Sequence, residues 1–94
     1  MDIKIGSVVR SIAGHDKGDL LLVVAMDEGF AYVSDGKLRK VETPKRKKRK
    51  HTQLISVRTS PLQQKILQGE KVFNSEIRKT LSPFIGTPVS EIQA

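Results

Sequence analysis

Cysteine and tryptophan are absent from this chain, and only four aromatics occur: Phe30, Tyr32, Phe73 and Phe84. Without thiols, neither a disulfide nor a thiolate metal site can form, which fits a reducing compartment. The longest apolar run, Leu20 to Met26, is far too short to cross a bilayer, so no membrane partner is expected. Met1-Asp2-Ile3-Lys4 lacks a basic start followed by an apolar stretch, so no signal peptide is expected and the expected location is cytoplasmic, or nuclear for a eukaryotic source. His15 and His51 stand 36 positions apart with no HExxH-like spacing, which argues against zinc. Asp16 with Asp19, and Asp27 with Glu28, suit turns and solubility better than metal ligation. No serine is marked as an activated nucleophile. The expectation is a protein that is not an enzyme, with no catalytic residue, metal, cofactor or small-molecule substrate.

What the chain does have is a dense block of positive charge. Lys45-Arg46-Lys47-Lys48-Arg49-Lys50 is an unbroken basic run. From Lys37 to His51 there are nine Lys/Arg and one Glu, a local +8, whereas the other residues carry eight Lys/Arg against nine Asp/Glu, or −1. A near-neutral body with one cationic edge suits a polyanionic partner. Each Lys or Arg that meets a phosphate releases condensed counterions, giving strong, salt-sensitive affinity for nucleic acid.

The first part of the chain reads as β. Ser7 to Ala13 is rich in β-branched residues and lies between Gly6 and Gly14. Asp19 to Met26 is continuously apolar at its centre, as expected of a strand covered on both faces, although the pattern alone also fits a buried helix. Phe30 to Ser34 is a third strand, with Phe30 and Phe73 expected in the core. Asp35-Gly36 offers a two-residue type I′ turn leading into a return strand over Lys37 to Val41, which Pro44 interrupts. Lys37 and Arg39 would then share one strand face, with Leu38 and Lys40 on the other. The run at 45–50 repels itself strongly and is expected to be a mobile loop within a basic segment at 43–51. Lys50 to Val57 supplies a fifth strand through Leu54, Ile55 and Val57. Composition shifts after Val57. Ser60-Pro61 suits a helix start capped by the Ser60 hydroxyl, Leu62, Ile66 and Leu67 would share its face, and Gly69 ends it. A second short helix from Asn74 or Ser75 carries Ile77 and Leu81 and stops before Pro83. Thr87 to Ala94 has little to bury and is expected to fray. The fold class is mainly β: a small five-stranded barrel at 1–57, with one or two short helices in an extension at 58–94 that must dock on the sheet.

The stretch Gly6 to Gly18 resembles a KOW motif: a strand, a glycine-flanked basic loop and a second strand within an SH3-like barrel. Gly14 and Gly18 can take positive φ, so the loop turns tightly and its backbone can approach phosphates. More of the chain is similar to one branch of that family. Ala13-Gly14-His15-Asp16-Lys17-Gly18, then Leu22-Val23-Val24, Asp35-Gly36-Lys37-Leu38-Arg39-Lys40 and Lys50-His51 look like the L-fourteen-type large-subunit ribosomal protein of archaea and eukaryotes. They look still more like its short bacterial relatives. Many KOW motifs carry another glycine where Leu21 stands; the L-fourteen branch shares that loss. The resemblance covers residues 4–57 and implies a KOW-type SH3-like barrel that binds ribosomal or other structured RNA, in translation or ribosome assembly. It implies contacts from Arg10, Gly14, His15, Asp16, Lys17 and Gly18, and from Lys37, Arg39, Lys40, Lys45, Arg46, Lys47, Lys48, Arg49, Lys50 and His51. The charge distribution reaches the second group independently.

Single-strand binders stack bases on several exposed rings. With four aromatics, backbone and shape recognition of folded RNA is expected instead. DNA would attract the same charges, and only the family resemblance favours RNA. Two other readings stay open at this level. An SH3-like barrel can bind peptides through exposed aromatics, of which this chain has few. The basic run can also act as a nuclear-localisation signal or anionic-surface patch.

Overall fold

A computed structural model of the chain describes residues 2–56 and 58–86. Five strands form one antiparallel sheet: β1 (Val8–Ser11), β2 (Leu20–Asp27), β3 (Phe30–Ser34), β4 (Lys45–Lys48) and β5 (Thr52–Leu54). Their order is β4-β3-β2-β1-β5, so the last strand returns to pair with the first. A single 3-10 turn, Arg49–His51, carries the chain from β4 to β5. The molecule is therefore mainly β, and among the described residues no ladder closes β4 onto β5.

The continuous apolarity of β2 has the expected cause: both of its faces are covered. Leu21 and Val23 pack with Val9, Ala31 and Val33 on one face. Leu22 lies on the other with Val8 and Ile55, under Leu62, Val72, Ile77 and Leu81. A bulge at Val24 shifts the β2–β3 register, pairing Val23 with Val33 but Ala25 with Tyr32. Met26 thereby stays over the first cluster, opposite Ala31. Ala25 and Asp27 turn outward with their partners Tyr32 and Phe30.

The helices belong to this core. α1 (Leu62–Leu67) ends at Gly69, whose φ of +74° allows the N–H of Gly69 to reach Ile66 and that of Glu70 to reach Lys65. α2 (Asn74–Leu81) buries Ile77 and Leu81, and a 3-10 turn at Ser82–Phe84 follows it. Lys65 Nζ donates to Glu76 Oε2 at 2.8 Å and ties the two helices together. The helices complete one side of the sheet's core, so they are part of the same folded body as the strands.

Several expectations change. Lys37 to Val41 is not a strand. No residue other than glycine has positive φ among the described residues, and a type I′ turn needs it at both central positions. Asp35 Oδ1 instead accepts the N–H groups of Lys37 (2.8 Å) and Arg39 (2.9 Å), folding a wide loop. α2 clamps that loop from outside: Asn74 Oδ1 accepts from the Val41 N–H at 2.8 Å, and Arg78 donates to the Gly36 carbonyl at 2.6 Å. The run at 45–50, expected to be mobile, is β4 and the 3-10 turn. The Ser60 hydroxyl does not cap α1; it is buried without a partner. Leu67 and Phe73 are exposed rather than core, and Phe30 is only half-buried. Val57 and Thr87 to Ala94 lie outside the described residues.

Candidate nucleic-acid interface

Alternation along β4 sorts its four cations. Lys45 and Lys47 pair with Val33 and Ala31, residues of the buried face. Arg46 and Lys48 pair with Tyr32 and Phe30 and point outward.

The inward pair is locked to the glycine loop. Lys47 is only 6% exposed, and its Nζ donates to Asp16 Oδ1 and to the Ala13 carbonyl, both at 2.9 Å. Lys45 Nζ lies 3.3 Å from Asp16 Oδ2, and the Ser11 hydroxyl donates to Oδ1 at 2.7 Å. Burial alone would favour the neutral carboxyl, but the hydrogen bonds from Lys47, Ser11 and Lys45 outweigh it and hold Asp16 at about 2. Gly14 and Gly18 take φ of +88° and +95°, as the tight loop needs. Arg10 is half-buried and spends one N–H on the Gly18 carbonyl at 2.9 Å, bracing the same loop. Asp16, Lys47 and Arg10 thus act within the protein, while His15, Lys17 and Gly18 stand exposed at the loop surface.

The locked loop sits beside the Asp35–Thr43 loop. His15, Asp16, Asp19, Leu21, Asp35, Leu38, Arg39 and Lys45 line one shallow concavity of about 240 Å³. A second, of about 590 Å³, continues past Asp19, Asp35 and Leu38 to Arg10, Lys37 and Arg78. Lys37 and Arg39 line this groove and Lys40 follows them in sequence; all three are exposed in a loop, so they do not divide between two strand faces. Between them Leu38 is 94% exposed. The fold therefore brings the glycine loop, the second basic loop and the start of β4 to one end of the sheet.

A separate outer face carries the remaining cations. The Arg46 guanidinium lies 3.6 Å from the centroid of the Phe30 ring. Tyr32 donates its hydroxyl to Asp27 Oδ2 at 2.7 Å, and that hydrogen bond raises its pKa. Lys48 and Lys50 are exposed nearby in sequence, while Arg49 and His51 are half-buried in the 3-10 turn. Sequence reasoning missed this face. Its signal was the period-two pattern Phe30-Ala31-Tyr32-Val33, which separates two aromatics from two small core residues.

Among the described residues, no group of three His, Asp or Glu could hold a metal ion. No described helix is long and apolar enough to cross a membrane. The chain matches no protein-family model, and a search of curated proteins finds no relative.

Proposed function

We propose that this protein is a non-catalytic RNA-binding module of the KOW type, an SH3-like barrel that contacts structured RNA in translation or ribosome assembly. The observation that carries this reading is the division of labour in β4. Lys47 and Lys45 fasten the glycine loop through Asp16, and the strand so fixed presents Arg46 and Lys48 outward. Pre-ordering the cations lowers the side-chain entropy lost on binding a phosphate backbone. The barrel assignment is supported by five short antiparallel strands whose last pairs with the first after one 3-10 turn. RNA rather than DNA is favoured by the resemblance of Gly6–Gly18 and Asp35–Lys40 to KOW proteins of the large ribosomal subunit. In this reading Lys17, Lys37, Arg39, Lys40, Arg46, Lys48 and Lys50 meet phosphates, with His15 at the groove. Asp16 and Lys47 hold the frame.

Replacing Lys48 and Lys50 with Gln tests it. Both are exposed, so thermal unfolding should stay within about 0.5 kcal/mol of the parent. Affinity for a structured RNA at low ionic strength should fall several-fold, and crosslinked peptides should map to the loops and β4. Unchanged affinity with no crosslinks in these segments would refute the reading.

A further inference from the structure

We propose that the outer face of the β3–β4 ribbon is a base-stacking site for single-stranded RNA, in which a nucleobase lies on the Arg46 guanidinium while that group rests on Phe30. The inference builds on the RNA-binding reading and adds a ligand class, unpaired nucleotides, to the phosphate contacts argued above.

Three observations carry it. First, Arg46 is exposed yet already seated 3.6 Å from the centre of the Phe30 ring, so its planar head is held in place before any ligand arrives. A guanidinium stacks on an aromatic face from one side and on a base from the other, which an ammonium does not. Second, of the two cations that β4 turns toward Phe30 and Tyr32, Arg46 is the one seated on a ring. Lys45 and Lys47 are turned to Asp16 on the opposite face. Third, the neighbours suit a strand of nucleotides. Lys48 shares the outward face and stands opposite Phe30, in position for a phosphate. Tyr32 stands opposite Arg46, its hydroxyl held by Asp27, and offers a second ring edge. Bases within a duplex do not expose their faces, so this geometry selects unpaired nucleotides. The scarcity of aromatics in the chain conceals the site, because an arginine supplies the stacking plane.

Tyr32 is the only tyrosine and there is no tryptophan, so intrinsic emission reports on this face alone. Three probes are titrated into the intact protein at fixed salt: a short single-stranded oligoribonucleotide, its abasic counterpart of equal length, and a blunt duplex. The base-bearing strand should bind at least about fivefold tighter than the abasic one and change Tyr32 emission. Arg46→Lys keeps the charge and should abolish the difference between the two strands. Phe30→Leu should do the same by removing the seat, with folding of both variants checked by thermal melting. If the abasic strand and the duplex bind as well as the base-bearing strand, the stacking site is refuted while the RNA-binding reading stands. If none of the three binds, both fall.

Discussion

Lys47 Nζ donates to Asp16 Oδ1 at 2.9 Å across 31 residues of sequence, and this contact joins β4 to the glycine loop. It is the reason the first four of a run of six cations can form a strand at all. Two of them are turned inward to one carboxylate, and a third rests on an aromatic ring. The outward charges also guard an edge strand against pairing with other chains.

Asp16→Ala should therefore destabilise the fold. It leaves the Lys47 ammonium, 6% exposed, with only the Ala13 carbonyl. The expected loss is about 2–4 kcal/mol, read by urea unfolding. Lys47→Met, which keeps the stem and removes the charge, should cost less than Asp16→Ala. Equal, negligible effects would show that the contact does not hold the loop.

The same carboxylate sets an acid limit. Its pKa is lowered from 3.8 to about 2 in the folded state, so it contributes stability above the unfolded value and loses it as pH falls toward 2. Between about pH 4 and pH 2 the parent should lose roughly 1 kcal/mol more than the Asp16→Asn variant, the figure being reduced for solvent screening. Parallel stability–pH curves for the two proteins would contradict this.

At Gly36 the backbone meets α2. Its φ is +74°, and an added Cβ would lie 2.5 Å from the Asn74 carbonyl oxygen. Gly36→Ala should cost about 2 kcal/mol or more, from strain and from displacement of the Arg78 and Asn74 clamps. Hydrogen exchange should show the Val41 amide, bonded to Asn74 Oδ1, losing protection first. A variant as stable as the parent would mean the clamp is not rigid.

Ile77 is fully buried in the cluster that joins α2 to Val8, Leu22 and Ile55. Ile77→Ala should cost about 2–5 kcal/mol and lower the midpoint seen by strand and helix probes together. Separate transitions would show the helices to be an appendage.

What the sequence made legible, and what it did not, follows from the reach of each signal. β2 was readable because covering both faces demands continuous apolarity, and the Gly14 and Gly18 turns because only glycine takes their φ freely. α2 was readable from Ile77, Leu81 and Pro83. The fourth strand was misplaced because charge repulsion is a local argument, and the counter-ion of Lys47 lies 31 residues away. The Asp35–Thr43 loop was misread as a hairpin because its clamps, Asn74 and Arg78, lie 33 and 42 residues from the atoms they hold. Phe73 defies its burial preference: it stands just before α2, and its exposed ring meets the Lys71 ammonium at 5.0 Å rather than the core. Phe30 and Arg46 were legible singly, but their stacking needed the β3–β4 register.

The most direct test of the central claim is the affinity of the intact protein for a structured RNA, measured from low to physiological ionic strength. Several outward cations on phosphates predict at least about a tenfold weakening over that range, with log affinity falling linearly in log salt. A flat response, or no binding at low salt, would contradict the account.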